Sequence, residues 1–248
     1  MGRGDTNLLI EAIRKSTRFL HRDYFELEGL QSLSKNCDAF VKKSCHKLYE
    51  NLVTNIQKYH PQIFYSIDDF KESNFTGSAA LIEILDGTNN LTRSLPYFAS
   101  IVTIVTKKGS DVFAEKIIIN FPALNELYYA EKGKGAWVEK YSSNYTGKAR
   151  VRVSGVNDIN SVTLATNLEQ ITEATNITKN IRVFNSYAYS IALLIAGKID
   201  VCLFEKRDIS YLGINLIIQE AGGITNLNDS NIVIGSNYHI SDKIKHLI

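Results

Sequence analysis

The spacing of apolar residues predicts two helices near the amino terminus. Both segments place apolar residues three, four or seven positions apart, which puts them on one side of a helix. The segments are 8–22, with Leu9, Ile13 and Leu20, and 41–59, with Leu48, Leu52 and Ile56. His60 and Pro61 follow the second segment and are expected to end that helix.

From residue 81 onward the apolar runs become short and favour strands. Strands are predicted at 81–85, 99–106, 112–120, 126–131 and 136–139, with a hairpin turn at 107–110. The polar segment 141–148 is predicted to be a loop that joins two halves of the chain.

Strands and helices alternate in the second half of the chain. Strands are predicted at 151–153, 162–165 and 199–204, and helices at 187–196 and 212–221. Gly197 and Gly222 stand where helix C-caps are expected. We therefore expect a layered α/β or α+β protein, a single domain over 1–248 with subdomains at about 1–148 and 149–248.

Composition excludes several classes of protein. The 248 residues are 44% hydrophobic and 22% charged with a net charge of +2, which is ordinary for a globular protein and gives no clear nucleic-acid signal. The three cysteines and five histidines show no spacing typical of a disulfide framework or a zinc site. No signal peptide and no apolar run of about 18 residues is present, so cytoplasmic residence and no membrane partner are expected.

The segment 81–90 carries the most chemical information. Glu83 and Asp86 lie three positions apart at the end of a predicted strand, and Gly87 and Thr88 follow them. The two carboxylates and the Leu85 carbonyl could face one cation, while the Gly87–Thr88 turn could hold an anion near a helix start. The alternative is structural, with Asp86–Gly87 as a type I′ turn and Thr88 as an N-cap.

A second acidic pair, Asp68–Asp69, follows the strand-like residues 63–65. Taken alone it is typical of a solvated loop. As a partner for Glu83, Asp68 would add another oxygen ligand for a hard cation.

Several segments together resemble the inositol monophosphatase family of magnesium-dependent, lithium-sensitive phosphatases. Residues 83–90, EILDGTNN, are similar to the family motif Asp-Pro-Ile-Asp-Gly-Thr-x-Asn. The other matching segments, in chain order, are LPYF at 95–98, PALNELYYAEKGKGAW at 122–137, VRVS at 151–154, SYAYSIALLIAGKID at 186–200, EAGG at 220–223 and IGSN at 234–237. The resemblance implies a layered αβαβα sandwich.

The resemblance also implies a metal-dependent reaction and roles for individual residues. Two or three Mg²⁺ ions would bind a small phosphorylated metabolite and activate a water molecule. By motif position, the metal ligands would be Asp68, Glu83, the Leu85 carbonyl, Asp86 and, by substitution, Asp208. Asp68 would bridge a metal and the attacking water, and Thr88 would help to orient that water. The Gly87 and Thr88 amides would hold the phosphate, and Glu205 would accept a substrate hydroxyl. A homodimer is also implied.

The chain departs from the family pattern at several of these positions. Asp68 and Glu83 exchange the usual glutamate and aspartate, and we expect this reciprocal exchange to preserve the span across the first metal. Ser210 stands where the family has an aspartate for the second metal, and Asp208 could replace it if the preceding loop is reshaped. Ser44 or Cys45 stands where the family has an earlier aspartate.

Two functional hypotheses follow from this combination. The first is an active Mg²⁺-dependent phosphomonoesterase with an altered second metal position. The second is a catalytically weak or inactive family member that acts as a binding or regulatory protein. An unrelated nucleotide-binding protein is disfavoured because the chain has neither a GxGxxG motif nor a P-loop.

Overall fold

The computed structural model describes residues 3–30, 37–59, 63–66, 76–142, 145–205, 210–227 and 232–244. The helices are α1 (Arg3–Leu30), α2 (Cys37–Gln57), α3 (Thr88–Thr92), α4 (Ile171–Ile177), α5 (Tyr187–Ile195), α6 (Ser210–Glu220) and α7 (Tyr238–Ile244). The strands are β1 (Ile63–Ser66), β2 (Gly77–Asp86), β3 (Ala99–Lys108), β4 (Asp111–Phe121), β5 (Glu126–Glu131), β6 (Gly135–Ser142), β7 (Tyr145–Arg150), β8 (Leu164–Thr166), β9 (Ile181–Val183), β10 (Val201–Glu205), β11 (Ile224–Leu227) and β12 (Ile232–Ser236). Within these ranges, no helix is long and apolar enough to cross a membrane.

The strands form two sheets. The first has seven strands in chain order from β1 to β7. Its β1–β2 pair is parallel, and the pairs from β2 to β7 are antiparallel, as short connections between consecutive strands require. The second sheet has the order β11-β12-β10-β8-β9. It mixes parallel pairs around β8 with antiparallel pairs around β12.

Helices cover both faces of each sheet. Strand side chains alternate between faces, so Ile117 and Ile119 of β4 pack with α5 and α6, whereas Ile118 packs with α1 and α2. In the second sheet, Phe204 faces α5 and α6, and Leu203 faces α4 and α7. The layers are therefore helices, sheet, helices, sheet, helices, which confirms the predicted αβαβα sandwich.

Most predicted elements are present, but the prediction of a loop at 141–148 is wrong. Residues 135–142 and 145–150 form the antiparallel pair β6–β7 at the edge of the first sheet. The segment lacks an apolar alternation because it is an edge strand, where polar residues and lysine are typical. The Lys148 ammonium lies 4.9 Å from the Tyr129 ring centroid and 5.2 Å from that of Trp137.

The prediction of a strand at 151–153 is also wrong. These residues lie in neither sheet. They run between the layers, where the Val151 N–H donates to the Ala136 carbonyl and the Val153 N–H donates to the Ala221 carbonyl. Their apolar side chains reflect burial against the core rather than membership of a ladder.

Candidate active site at the end of strand β2

A β-bulge brings Glu83 and Asp86 to the same side of β2. In the pairing with β3, Glu83 lies opposite Ile101 and Asp86 lies opposite Ala99, so three steps along β2 match two along β3. Residues three positions apart in a regular strand point to opposite faces of the sheet. The extra residue of the bulge reverses that alternation. As a result, both carboxylates face the start of α5.

The first turn of α5 donates hydrogen bonds to both carboxylates. For Asp86, Oδ2 accepts from the Ser186 hydroxyl at 2.5 Å and from the Ala188 N–H at 3.1 Å. For Glu83, Oε2 accepts from the Tyr187 hydroxyl. Glu83 and Asp86 are only 8% and 9% exposed. Hydrogen bonds to buried carboxylates and the positive end of a helix stabilise the negative charge that a cation site needs.

Gly87 turns the chain from β2 into α3. Its φ of 75° is in the left-handed region, and a Cβ at this position would lie 2.4 Å from the Tyr97 carbonyl oxygen. The structural alternative of a type I′ hairpin turn is wrong, because Gly87 itself is the N-cap of α3. Thr88 is the first helical residue, and its hydroxyl donates to the Leu85 carbonyl at 3.1 Å. The Leu85 carbonyl and the Thr88 hydroxyl are therefore in direct contact where β2 ends and α3 begins.

A cavity of about 420 Å³ adjoins the Asp86 carboxylate. Asp86 lies on one wall, and Glu205, the last residue of β10, lies on another. The two residues belong to different sheets, so the cavity spans both. Its remaining lining residues are Asn89, Asn167, Leu168, Glu169, Gln170, Asn185, Tyr187, Phe204, Tyr211 and Ile214. The fold thus gathers five of the sequence-predicted site residues, namely Glu83, Leu85, Asp86, Gly87 and Thr88, beside the sixth, Glu205.

Two predicted ligands, Asp68 and Asp208, lie outside the described residues. Within the described ranges, no group of three or more His, Cys, Asp and Glu side chains could hold a metal ion. The described part of the site therefore contributes two carboxylates and one carbonyl. Ser210 is the first residue of α6, at the position where the resemblance leads one to expect an aspartate.

The position of the earlier family aspartate has a structural role in this chain. Ser44 is buried in α2, and its hydroxyl donates to Asp23 Oδ2 of α1 at 2.7 Å. The neighbouring Cys45 is half-buried, and this burial raises the pKa of its thiol. A thiol that stays protonated at neutral pH is a poor ligand for a hard cation. Neither residue replaces the missing carboxylate.

The hydrogen bonds that Ser186 and Tyr187 donate to the two carboxylates were not predicted from the sequence. The segment 186–200 shows the resemblance, yet its pattern indicates only a buried helix. Ser186 does carry one local signal, since serine is a favoured N-cap and its hydroxyl accepts from the Tyr189 N–H at 3.1 Å. Nothing in the sequence indicates that Tyr187 reaches a carboxylate 104 positions earlier.

The fold and the site define a layered α/β protein with an acidic strand end beside a polar cavity. The family model described as the inositol monophosphatase family matches residues 9–244, and the chain belongs to that family. This match confirms the predicted resemblance. The family is one of phosphatases.

Relatives and solved structures agree with this assignment. The chain is 26% identical to inositol-1-monophosphatase of Caulobacter vibrioides, over 96% of both chains. It is also 26% identical to Nus factor SuhB of Escherichia coli, over 96% of this chain and 89% of that protein. The Thermotoga maritima IMPase structure matches with a TM-score of 0.66 at 25% identity, over 82% of this chain and 80% of that one. Extragenic suppressor protein suhB of Bartonella henselae matches with a TM-score of 0.75 at 22% identity, over 98% of both chains, and supports the fold.

Proposed function

We propose that the protein is a Mg²⁺-dependent phosphomonoesterase that hydrolyses a small phosphate ester such as an inositol monophosphate. One observation carries this proposal. The bulge in β2 puts two buried carboxylates, Glu83 and Asp86, on one side of the strand, with the Leu85 carbonyl between them in sequence. Hard oxygen donors of this kind are those that Mg²⁺ takes in proteins, so the donor set fits the ion.

The proposed roles of the individual residues follow from their positions in the family motifs. Glu83, Leu85 and Asp86 would hold a Mg²⁺ ion, which when bound would polarise a phosphate ester and activate water. Gly87 and Thr88, at the start of α3, would bind the phosphate through their backbone N–H groups. Asp68 would accept a proton from the attacking water, and Thr88 would orient that water. Asp208 is proposed as a further ligand in place of Ser210.

The residues that line the cavity are suited to a substrate rich in hydroxyl groups. Asn89, Asn167, Gln170 and Asn185 present side-chain amides, which donate to and accept from hydroxyl groups. Glu205 would accept from another hydroxyl. A polyol or sugar monophosphate therefore suits this cavity.

Metal-dependent hydrolysis of a panel of phosphate esters tests the proposal. We expect phosphate release that requires Mg²⁺ and that is highest with polyol monophosphates. Asp86→Asn keeps the size of the side chain and should lower kcat at least about a hundredfold, as expected for removing a charged group that stabilises the reacting centre. The matched control is Asp111→Asn, a charge change at an exposed hairpin position. Absence of hydrolysis above the blank, together with no Mg²⁺ or Mn²⁺ binding by calorimetry, would contradict the proposal.

A second candidate function is a binding or regulatory protein with little or no catalysis. Ser210 at the usual aspartate position favours it, because the loss of one negative charge weakens a second metal site. The similarity to a protein named Nus factor SuhB is compatible with such a role. Cation binding without turnover of any ester would favour this second function. The homodimer and the cytoplasmic location stay predictions.

A further inference from the structure

A long groove lies between α1 and the first sheet, separate from the candidate active site. Its volume is about 1280 Å³, and among the described residues it shares no lining side chain with the cavity beside Asp86. The lining residues of α1 extend from Asn7 to Phe25. This length of helix rises about 27 Å, which is the length of about eight residues of extended chain. The groove therefore has the dimensions of a bound polypeptide segment rather than of a small metabolite.

Positive charge is concentrated along the α1 side of this groove. Five of the lining side chains are lysine or arginine and two are glutamate, although the whole chain has a net charge of only +2. Arg14, Arg18 and Arg22 follow one another at intervals of four residues, so they form a row with a rise of about 6 Å between neighbours. Like charges at this spacing destabilise a helix. Carboxylates that approach the row from outside α1 would relieve this repulsion.

The protein's own carboxylates pair with the two ends of the row but not with its middle. Arg14 donates to Glu139 of β6 at 2.6 Å, and Arg22 pairs with two carboxylates of its own helix, at 3.1 and 3.4 Å. Arg18 is exposed and has no ion pair within the part of the chain that the structure describes, and the same is true of Lys15. The positive charge that remains available therefore lies near the middle of the groove.

The sheet side of the groove offers apolar surface. Pro122 and Tyr141 line it there, and the Arg14 guanidinium lies 4.6 Å from the Tyr141 ring centroid. At one end of the groove, Phe25 is 53% exposed. An extended peptide sends successive side chains to opposite sides, and alternate residues lie about 7 Å apart, close to the steps of the arginine row. Acidic residues at alternate positions would thus face α1, and the apolar residues between them would face the sheet.

The carboxylates within the groove favour a peptide over a nucleic acid. Glu11 and Glu139 are both lining residues. A nucleic acid strand has a phosphate on every nucleotide and would bring some of these phosphates close to the two carboxylates. A peptide can place uncharged side chains at the same points, so its charge can match the groove along the whole length.

We propose that this groove binds an extended acidic segment of a partner protein. Carboxylates of the segment bind to Arg18 and Lys15, and its apolar side chains pack against Pro122 and Tyr141. None of these four residues belongs to the candidate active site, so the proposal is independent of phosphate-ester hydrolysis.

Fluorescence anisotropy of the full chain with a library of labelled acidic peptides, each about ten residues long to span the groove, tests the proposal. Aspartate or glutamate occupies alternate positions of each peptide, and varied apolar residues occupy the others. We expect members of the library to bind, and their asparagine and glutamine analogues to bind at least about tenfold more weakly. Arg18→Glu should also weaken binding about tenfold, the change that corresponds to losing one charged hydrogen bond.

Arg18→Glu should fold normally, because it places a carboxylate four positions from both Arg14 and Arg22. Circular dichroism and the melting temperature check this. Arg152→Glu is the matched control, since it makes the same change of charge at an exposed position outside the groove. This control should bind the peptides within about twofold of wild type, as expected for a charge that does not contact them. Both variants should keep any phosphatase activity of the wild-type protein.

Three results would overturn the proposal. The first is that no member of the library binds at a concentration of about 0.1 mM. The second is that Arg18→Glu and Arg152→Glu weaken binding equally, which would mean that the attraction is to the whole protein and not to the groove. The third is that a single-stranded RNA of about ten nucleotides binds more tightly than every peptide and displaces it, since the groove would then be a nucleic-acid site.

Discussion

The buried side chain of Asn90 donates a hydrogen bond to the backbone carbonyl of Phe184, 94 positions later, at 2.8 Å. The same amide nitrogen donates to the Tyr97 carbonyl, also at 2.8 Å. Asn90 lies in α3, directly after the Gly87 turn, and Phe184 lies just before α5. One side chain thus joins the two elements that surround Glu83 and Asp86, although they come from different halves of the chain.

Asn90→Asp should destabilise the fold with almost no change in side-chain size. The variant loses the donor to the Tyr97 and Phe184 carbonyls and sets a carboxylate against them. We expect a decrease of about 1–3 kcal/mol in the free energy of unfolding, the usual cost of leaving buried polar groups unpaired. Chemical denaturation at neutral pH measures it. Asn89→Asp, at the exposed neighbouring position, should stay close to wild type. A decrease below about 0.5 kcal/mol for Asn90→Asp, the usual range of surface substitutions, would show that these bonds contribute little.

Gly87→Ala should be more destabilising than Gly77→Ala, although both glycines belong to the β2 region and share a left-handed backbone. Their φ angles are 75° and 78°, so each alanine has the same conformational cost of about 1–2 kcal/mol. Only at Gly87 would the new Cβ meet backbone, 2.4 Å from the Tyr97 oxygen, whereas nothing lies within 4 Å at Gly77.

Thermal and chemical denaturation of the two glycine variants give the comparison. We expect Gly87→Ala to lose at least about 1 kcal/mol more than Gly77→Ala, because the Tyr97 carbonyl and the connection that precedes β3 must move to relieve the contact. Equal losses would indicate that conformation alone, and not close packing, requires glycine at position 87.

Much of the fold was predictable because the helices and strands that form its layers show a clear periodicity of apolar residues. The helix 187–196 and the strands 99–106 and 126–131 are long or strongly apolar, and all three are present. The edge strand β7 could not be predicted, since its stability comes from pairing with β6 and its outer side is polar. Long-range contacts also hold the turn between β5 and β6, where Glu220 accepts hydrogen bonds from the Gly133 and Gly135 N–H groups at 2.6 Å each.

The geometry of the candidate site could not be predicted from the sequence. The resemblance pointed to Glu83 and Asp86, yet alternation along a regular strand would separate them across the sheet. The bulge that brings them together depends on the register with β3, which no local pattern specifies. The Tyr187 contact depends in the same way on how α5 packs between the sheets.

The reciprocal exchange of Asp68 and Glu83 leads to a prediction about Mg²⁺ affinity. The Tyr187 hydroxyl donates to Glu83 Oε2, so shortening the Glu83 side chain would withdraw it from both the tyrosine and the proposed ion. Glu83→Asp and Asp68→Glu should each weaken Mg²⁺ binding about tenfold or more, as changes in the ligands of a metal and in the groups that hydrogen-bond to them commonly do. The double variant should recover most of this loss. A double variant no better than the worse single variant, by calorimetric titration, would argue against compensation.

Glu131 provides a test of how electrostatics fixes α1 on the first sheet. Its carboxylate accepts from the Thr6 hydroxyl at 2.7 Å and from the Lys134 ammonium at 2.5 Å. Burial of this carboxyl acts to raise its pKa, but the hydrogen bonds from Lys134 and Thr6 and the nearby Lys116 charge outweigh it, so the pKa of Glu131 is lowered from 4.5. A carboxyl whose pKa is lower in the folded than in the unfolded state stabilises the fold above the unfolded value. That stabilisation is lost as pH falls through the folded value.

Glu131→Gln should therefore destabilise the protein at pH 7 by about 1 kcal/mol, the size of a hydrogen bond involving a partly exposed charge. The difference from wild type should shrink as the pH falls below 4.5, because the wild-type carboxyl then becomes neutral as well. Urea denaturation at several pH values between 7 and 3 measures the difference. Glu115→Gln, on the adjacent strand β4, is the control for removing one carboxylate from this sheet. A difference for Glu131→Gln that stays constant between pH 7 and 3 would mean that the charge of Glu131 adds nothing to the attachment of α1.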